Sequence, residues 1–557
     1  MAIFLIFIHS DRTITAGLSA ILMVLGLMLT TACDEQKDIQ RPKGVVTSAS
    51  PEATAAGIEI LNRGGNAVDA MVAVSFALGV TEPAMSGLGG GCQILLAQPG
   101  DTPIMINGTT LSPATTPIAM DTDTLTYHRR STIPSSVKAT YYTWQKYGSG
   151  RVSWADLLQP AIKYAEQGFP IGDFRSKVYQ RYGAKILSSP HDVGPWLMPD
   201  GSIPQEGDTL RQPLLAKTLR RLAQGGSDAY YRGEIAEEIA QDMRNKGGWI
   251  TLEDLADFPD PQVRPAISTD FQGYKIYTAA PPTGGWTMLL ALNLLQQLTD
   301  NGGNETERLA LLQALRLAHE DRALRPVLDI ADSDSLIAEK LSHDYATRLL
   351  ANLEVGEASK LDSSSGETTH FSVVDDTGMA VAYTASINAY FGALAASPKL
   401  GFLYNTYMDD FVFGQPDHPW SIGPAKMAYS SMSPTIIQKD GKTVLVLGSP
   451  GSARIISAVT QVIASWIDTQ DIIETVAQPR YHVSNGKVYI ENITDSTEIK
   501  DWISANNHQW GAFRNDLEKN EKNAYFGGVH AISYQNGQWV GVADPRRDGS
   551  ALATANE

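Results

Sequence analysis

One segment in the second half of the chain constrains the fold more than any other. Apolar and polar residues alternate over residues 368–374, a polar turn follows at 375–378, and a second apolar run covers 379–383. Two such runs joined by a polar, glycine-containing turn predict a β-hairpin. The hydroxyl residue Thr368 lies where the first strand begins, directly after the carboxylate residue Glu367.

The position of Thr368 allows two interpretations. A Thr-Thr pair on a strand is, taken alone, an ordinary strand former. If the chain were cut between Glu367 and Thr368, however, Thr368 would carry a free α-amine that could act as the base for its own Oγ1. The stretch 363–366, Ser-Ser-Ser-Gly, provides the backbone freedom that such a cut requires.

Motifs along most of the chain favour the second interpretation. The segment that begins at Thr368 resembles the start of the small subunit of γ-glutamyltranspeptidases, which are N-terminal nucleophile hydrolases. Further matches follow in the family's order over roughly residues 43–550, at 44–48, 57–61, 64–70, 82–83, 87–91, 207–210, 281–285, 430–435, 448–451 and 544–546. Because so many collinear matches are far more specific than one motif, the chain is identified as a member of this family.

The resemblance implies an α+β fold, a four-layer αββα sandwich. The periodicity agrees, since residues 51–80 and 138–260 are mostly helical in pattern and the chain becomes strand-rich after Thr368. After self-cleavage, residues 34–367 would form a large chain and residues 368–557 a small chain. We expect one intertwined domain, because neither piece alone completes both sheets.

The resemblance also assigns catalytic roles. Thr368 would attack the carbonyl of Glu367 to give an ester that water opens, and would then serve as the nucleophile for substrate. Ser386, eighteen positions later, occupies the place of a hydroxyl that hydrogen-bonds to the nucleophile. Gly451 and Ser452 occupy the place of a Gly-Gly pair whose backbone N–H groups form the oxyanion hole.

Substrate recognition is implied in the same way. Asn388 and Asp410 match family residues that bind the α-amino group of the γ-glutamyl moiety. Ser430 and Ser431 match the serines that hold its α-carboxylate. The family's arginine for that carboxylate is replaced here by Thr109, which cannot supply the charge.

The implied activity is that of a self-processing γ-glutamyltransferase and hydrolase, which passes the acyl group of γ-glutamyl amides such as glutathione to water, an amino acid or a peptide. Three departures leave alternatives open: Thr109, Tyr407 in place of a Gln or Glu, and Ser452 in place of a Gly. One alternative is a related amide acylase with a different acyl donor. Another is a non-catalytic envelope lipoprotein of this fold. The nearby Arg129 and Arg130 could supply the missing charge.

Composition excludes some other classes. A formal net charge of −17 argues against a nucleic-acid partner, because phosphate binding needs a basic face. No cluster of His, Cys and acidic residues has metal-ligand spacing, and the glycine run 89–91 lacks the lysine of a phosphate loop. We therefore expect no metal and no nucleotide cofactor. Of the two cysteines, Cys92 is predicted to be a buried thiol.

The N-terminus predicts export. Residues 15–32 are apolar and uncharged, follow Arg12, and end at Cys33 in a sequence that resembles a bacterial lipoprotein cleavage site. Residues 1–33 would then be a signal sequence, with Cys33 lipidated and only the N-terminus in the membrane. The expected location is the periplasm or cell envelope. A plain signal anchor is the alternative.

Overall fold

Two antiparallel sheets, each covered by helices, make up this protein in a computed structural model. The structure describes residues 44–118, 120, 122–191, 193, 196–300, 306–327, 333–351, 366–491, 497–505, 509–510 and 522–555. These residues belong to one compact unit. The predicted signal of residues 1–33, the lipidation site Cys33 and residues 363–365 lie outside the described residues.

Most of the α-helices in the described residues precede Thr368, and the last three follow it. They are α1 (Pro51–Asn62), α2 (Ala67–Thr81), α3 (Ser136–Tyr147), α4 (Trp154–Leu157), α5 (Gln159–Gln167), α6 (Asp173–Leu187), α7 (Pro213–Tyr231), α8 (Glu234–Lys246), α9 (Leu252–Ala256), α10 (Gly285–Asp300), α11 (Glu307–Leu324), α12 (Ser333–Lys340), α13 (His343–Ala351), α14 (Arg454–Thr469), α15 (Ile472–Ala477) and α16 (Thr497–Ala505).

The strands fall into two large and two small sheets. They are β1 (Val45–Ser48), β2 (Gly91–Ala97), β3 (Ile104–Gly108), β4 (Phe169–Pro170), β5 (Thr209–Leu210), β6 (Gln262–Pro265), β7 (Ile267–Phe271), β8 (Tyr274–Thr278), β9 (Gly366–Val374), β10 (Ala380–Ala389), β11 (Thr435–Lys439), β12 (Lys442–Gly448), β13 (Tyr481–Ser484), β14 (Lys487–Ile490), β15 (Gln509–Trp510), β16 (His530–Gln535), β17 (Gln538–Ala543) and β18 (Ser550–Ala553).

Each of the two large sheets combines strands from before and after Thr368. The seven-stranded sheet has the order β18-β1-β9-β10-β2-β3-β6, and the six-stranded sheet has the order β17-β16-β12-β11-β8-β7. In the first sheet, β9 pairs with β1 on one side and with β10 on the other. A cut before Thr368 would therefore leave both pieces in the same two sheets.

Three apolar cores separate four layers. Between the sheets, small and branched side chains of both pack together, including Leu95 and Ala382 from one sheet and Ile436 and Val446 from the other. The outer face of the first sheet packs on the helices from α1 to α8, and that of the second packs on α10, α11, α14 and α15. This confirms the predicted α+β fold with its αββα layers.

The strongest sequence patterns match the elements observed. The hairpin predicted over 368–383 is formed by β9 and β10, and the helical pattern over 51–80 is α1 and α2, separated by Gly64 and Gly65. Cys92 is a buried free thiol, and burial raises its pKa to about 12. Within the described part of the chain, none of the helices combines the length and apolar character that crossing a bilayer requires.

Candidate active site

A bulge in the central hairpin sets the position of Thr368. Ala385 of β10 pairs with Thr369, and Asn388 pairs with Glu367, so that two residues of β10 lie opposite the single residue Thr368. Bulges of this kind redirect side chains and are common beside active sites. The glycine run supports the bulge from the other side, because a Cβ at Gly90 would lie 2.3 Å from the backbone oxygen of Ser386.

The bulge brings a hydroxyl to the bond that precedes Thr368. Ser386 Oγ donates a hydrogen bond to the carbonyl oxygen of Glu367 at 2.5 Å. The same Oγ accepts a hydrogen bond from the backbone N–H of Asn388 at 2.7 Å. This backbone donor orients the hydroxyl so that its proton points at the carbonyl, and such a proton stabilises the negative charge that develops when a carbonyl is attacked.

The side chain of Glu367 is held by two buried arginines. Arg547 Nη2 donates to Glu367 Oε2 at 2.9 Å, and Arg454 Nη2 donates to Glu367 Oε1 at 3.3 Å. All three side chains are buried. Arg547 also donates to the backbone oxygen of Thr368 at 3.5 Å. Both residues that flank the bond are therefore held in place by charge-assisted contacts.

A buried acid lies on the other side of Thr368. Thr369 Oγ1 donates to Glu82 Oε2 at 2.5 Å. Burial raises the pKa of Glu82 to about 7, against the lowering effect of the nearby Arg547. Glu82 belongs to the Glu82-Pro83 motif at the end of α2, which connects this motif physically to the residue after the candidate nucleophile.

Thr368 lines a cavity of about 750 Å³. Residues from both sides of Thr368 in the chain contribute to its wall. The described lining residues are Thr122, Ala323, Leu324, Thr368, Ser386, Asn388, Tyr407, Asp409, Asp410, Phe411, Val412, Phe413, Gln415, His418, Tyr429, Ser430, Ser431, Met432, Ser452 and Ile455. Most of the residues singled out by sequence therefore meet at one cavity, and among these lining residues none is Lys or Arg.

One part of the wall is acidic. Burial and then the neighbouring charge of Asp409 raise the pKa of Asp410 to about 8, while a hydrogen bond from Asn388 opposes that shift. Asn388 Nδ2 also donates to the backbone oxygen of Thr406 at 3.1 Å. Arg130 Nε donates to Asp409 Oδ1 at 3.0 Å, so Arg130 is engaged with this acidic pair. An ammonium group of a ligand would be attracted here.

Another part of the wall offers hydroxyl protons. Ser430 Oγ accepts from the N–H of Met432 at 3.1 Å, and Ser431 Oγ accepts from Arg322 Nη2 at 2.8 Å. No described residue accepts a hydrogen bond from either hydroxyl. Each Ser hydroxyl has one proton to donate, so both protons are left for an acceptor in the cavity.

Gly451 and Ser452 lie just before α14, and Ser452 lines the cavity. Gly451 has φ +124°, and Ser452 has φ +55°, in the left-handed region that favours glycine. This backbone explains why a Gly-Gly pair suits the position, and Ser452 adopts the same region despite its Cβ.

Thr109, predicted as a substrate-binding residue, does not line this cavity. Its hydroxyl donates to Asn107 Oδ1 at 2.6 Å and accepts from Gln93 Nε2 at 2.7 Å. It lines a different cavity of about 80 Å³ together with Met427. Arg129 does not replace it, since its Nε donates to the backbone oxygen of Gly247.

Sequence reasoning missed four charged residues near the site: Arg322, Arg454, Arg547 and Glu82. Glu82 was seen only as part of a motif, and the three arginines occur in helical or loop segments without a local signal. Arg547 directly follows the 544–546 match and could have been flagged by it. In the described ranges, the side chains include no group of three His, Cys, Asp or Glu suited to a metal ion.

Comparisons with known proteins point the same way as the site. The sequence profile of the family described as Gamma-glutamyltranspeptidase matches residues 53–554. The chain is 34% identical over 478 residues to a glutathione hydrolase proenzyme of Escherichia coli K12, covering 80% of this chain and 81% of that protein. It is 32% identical over 562 residues to a glutathione hydrolase proenzyme of Bacillus subtilis 168, covering 93% of each.

Among solved structures, the fold is similar to a cephalosporin acylase from Bacillus halodurans. The TM-score is 0.81 with 25% sequence identity, and the match covers 93% of this chain and 97% of that chain. The chain is therefore similar to proteins whose names specify different substrates, glutathione and cephalosporin.

Proposed function

This chain belongs to the gamma-glutamyltranspeptidase family, and from that premise we propose that it cuts itself before Thr368 and then transfers γ-glutamyl groups. Like its glutathione hydrolase relatives, it would act on glutathione and other γ-glutamyl amides. The acceptors are water, amino acids or peptides. No cofactor is required, because every step uses groups of the chain and of the substrates.

Self-cleavage begins when Thr368 Oγ1 attacks the carbonyl carbon of Glu367. The C–N bond then breaks, the proton of the hydroxyl passes to the leaving nitrogen, and an ester joins Glu367 to Thr368 Oγ1. Water hydrolyses this ester to release the Glu367 carboxylate and leave Thr368 with a free α-amine. Ser386 stabilises the oxyanion, because it already donates to that carbonyl oxygen.

Turnover repeats this chemistry on a substrate. The neutral α-amine of Thr368 takes the proton from Oγ1 as the oxygen attacks the γ-carbonyl carbon, and the proton then passes to the departing amine. The resulting γ-glutamyl ester is opened by water or by an acceptor amine. Backbone N–H groups at Gly451 and Ser452 hold the oxyanion.

The two polar parts of the cavity wall bind different groups of the γ-glutamyl moiety. Asp410 and Asn388 receive the ammonium group, and the hydroxyls of Ser430 and Ser431 donate to the α-carboxylate. Thr109 has no part in this, because it lines a separate cavity. The observation that carries the whole proposal is the 2.5 Å hydrogen bond from Ser386 to the Glu367 carbonyl at a bond whose next residue lines the cavity.

The test combines mass with turnover. The wild-type chain should give two species, one beginning at Thr368, whereas Thr368→Ala should stay uncut. The cut protein should release p-nitroaniline from γ-glutamyl-p-nitroanilide, and a dipeptide acceptor such as glycylglycine should change the rate. A folded wild-type chain that stays uncut would instead support a non-catalytic protein of this fold.

A second candidate is an amide acylase with another acyl donor. Two observations favour it: Thr109 stands where the family has arginine, and the structure is similar to a cephalosporin acylase. Cleavage of glutaryl amides with no cleavage of γ-glutamyl amides would support the acylase. The two candidates share the nucleophile and differ only in the groups that recognise the acyl chain.

The same protein is proposed to be exported to the periplasm or cell envelope and anchored by a lipid on Cys33. The support is the apolar stretch 15–32 and the residues that precede Cys33. The mature large chain should then begin at Cys33 and carry the mass of a lipid. Cys33→Ser should remove that mass and release the protein from the membrane fraction without affecting the cut at Thr368.

A further inference from the structure

On the proposed function, the cavity must bind a carboxylate, and its described lining residues include no Lys or Arg. A γ-glutamyl group carries an α-carboxylate, and the family supplies an arginine for it at the position that is Thr109 here. None of the described lining residues is Lys or Arg, whereas Asp409 and Asp410 are both present. A carboxylate would therefore meet a net acidic cavity unless a positive charge lies directly behind the wall.

Arg322 of α11 lies directly behind the wall. Its Nη2 donates to Ser431 Oγ at 2.8 Å and to the backbone oxygen of Ser430 at 3.2 Å. Its guanidinium carbon lies 4.4 Å from the ring centroid of Tyr429. It thus contacts three consecutive residues of the cavity wall, and the two residues that follow it, Ala323 and Leu324, line the cavity themselves.

Among the described residues, no acidic side chain lies within hydrogen-bond distance of the Arg322 guanidinium. The side chain is 3% exposed, and its Nε and Nη1 have no hydrogen-bond partner among the described residues. A buried guanidinium with two unused donors is costly unless something compensates its charge. The other arginines near the site are already paired, Arg130 with Asp409 and Arg547 with Glu367.

The contact with Ser431 also sets the direction of a proton. Because Ser431 Oγ accepts from Arg322, its own proton is free to point away from the arginine. The hydrogen bond from a cation makes that hydroxyl a stronger donor. With Ser430, the arrangement offers two hydroxyl protons backed by one positive charge, which is the complement of a carboxylate.

We propose that Arg322 is the positioning residue for the substrate carboxylate, acting through the Ser431 hydroxyl and its own charge in place of the arginine missing at Thr109. This deepens the proposed function, on which its choice of γ-glutamyl substrates rests. Asp410 then binds the ammonium group of the γ-glutamyl moiety, and Arg322 positions the carboxylate of the same moiety.

Four substrates isolate the carboxylate. γ-Glutamyl-p-nitroanilide and 4-aminobutyryl-p-nitroanilide differ only in the α-carboxylate, and so do glutaryl- and butyryl-p-nitroanilide, which lack the amine. For each pair, the measured quantity is kcat/KM for the substrate with the carboxylate divided by kcat/KM for the substrate without it, both determined on one preparation. This ratio does not depend on the fraction of chains that have matured, so incomplete folding of a variant does not distort it.

In the full chain, Arg322→Gln should lower the ratio roughly ten- to a hundredfold, as expected for loss of a charge-assisted contact. Arg322→Lys should recover part of it. The matched control is Arg325→Gln on the same helix, because Arg325 is more than half exposed and pairs with Asp321; its ratio should equal that of the wild type.

Equal losses on both members of a pair would overturn the inference, since a purely structural arginine would slow all substrates alike. If Arg322→Gln fails to mature, the Lys variant and Ser431→Ala give the same ratio test. Failure of the proposed function looks different: the wild type would cleave glutaryl but not γ-glutamyl amides, and the glutaryl–butyryl pair would still measure the role of Arg322.

Discussion

The bond between Glu367 and Thr368 and the cavity beside it are built in opposite ways. Around the bond, the polar groups have partners within the chain: the Glu367 carboxylate with two arginines, its carbonyl with Ser386, and the Thr369 hydroxyl with Glu82. Around the cavity, the protons of Ser430 and Ser431 have none among the described residues. Self-cleavage therefore uses groups that already contact one another, whereas in turnover the substrate supplies the acceptors for the two serine protons.

This difference predicts that the two activities can be separated by mutation. Residues that hold the bond should affect maturation and the stability of the uncut chain. Residues of the cavity wall should affect which substrates the mature protein accepts. Ser386 and Thr368 belong to both regions and should affect both activities.

The largest effect is expected at Ser386. Among the residues that the structure describes, Ser386 is the only one whose side chain donates a hydrogen bond to the Glu367 carbonyl. Ser386→Ala removes that donor, and self-cleavage should slow by roughly 10²–10³-fold, the usual effect of losing one oxyanion donor. The measurement is the fraction of cut chain against time on a denaturing gel. Ser386→Thr is the matched control, since it keeps the hydroxyl. An Ala variant that matures at the wild-type rate would remove Ser386 from the mechanism.

The next largest effect concerns the anchoring of Glu367. In the uncut Thr368→Ala background, Glu367→Ala leaves Arg454 and Arg547 buried without this carboxylate. The free energy of unfolding should fall by about 3 kcal/mol, as when one partner of a buried ion pair is removed. Chemical denaturation measures it.

The control for Glu367 is Glu339→Ala, which breaks an exposed ion pair with Arg348 and should change the free energy of unfolding by less than about 1 kcal/mol. In the cleavable chain, Glu367→Ala should slow maturation while leaving the substrate preference of the matured protein as in the wild type. A changed substrate preference would contradict the prediction that residues holding the bond do not determine substrate choice.

The fold was largely predictable because its main elements have long, regular patterns. The β9–β10 hairpin has a polar, glycine-containing turn between an alternating run and an apolar run, and α1, α2 and α11 carry helical periodicity. Strands β6 and β7 were missed because their residues are mostly exposed or half-buried and one of them is a proline, so no alternation marks them. The small sheet of β13–β15 was missed for a similar reason, since its strands are only two to four residues long.

The site was predictable where spacing along one strand or loop defines it. Ser386 and Asn388 lie on the strand that pairs with Thr368, and Ser430 and Ser431 form one motif. Arg322 was not predictable, because it reaches Ser431, 109 positions away, only through the packing of α11. Thr109, which the resemblance places where the family has its carboxylate-binding arginine, is held by Asn107 and Gln93 and lines a separate cavity. Its role in substrate binding therefore stays a prediction.

An effect of intermediate size is expected at the acidic part of the cavity. At a pH above the raised pKa of Asp410, about 8, where its carboxylate is ionised, Asp410→Asn should raise KM for γ-glutamyl-p-nitroanilide roughly tenfold, because an amide cannot neutralise the ammonium group. It should leave glutaryl-p-nitroanilide little changed. Self-cleavage should continue, since Asp410 has no contact with the bond among the described interactions. A loss of maturation would contradict the separation of the two regions.

The same residue predicts a pH dependence. Because the pKa of Asp410 is raised to about 8, the carboxylate is mostly protonated below that pH and attracts ammonium only as the pH rises through it. The ratio of kcat/KM for γ-glutamyl over glutaryl substrate should therefore rise as the pH approaches about 8. It should fall again at higher pH, where the α-ammonium group that only the γ-glutamyl substrate carries loses its proton. Titration of the Thr368 α-amine affects both substrates and cancels in the ratio. Asp409→Asn should move the rise to lower pH, since the charge of Asp409 helps to raise that pKa.

The smallest effect is expected at Ser452, in the cavity wall. Its φ of +55° is costly for a residue with a Cβ. Ser452→Gly should relieve that strain and, after the greater entropy of glycine in the unfolded chain is subtracted, stabilise the matured protein by about 0.5 kcal/mol in thermal or denaturant unfolding. Ser452→Ala keeps the Cβ and should give no gain in stability.

Turnover should change by no more than about threefold in the Ser452→Gly variant. Self-cleavage should keep its rate, because Ser452 belongs to the cavity and not to the contacts that hold the bond. A Gly variant no more stable than the Ala variant would show that relief of backbone strain does not determine the stability of this turn.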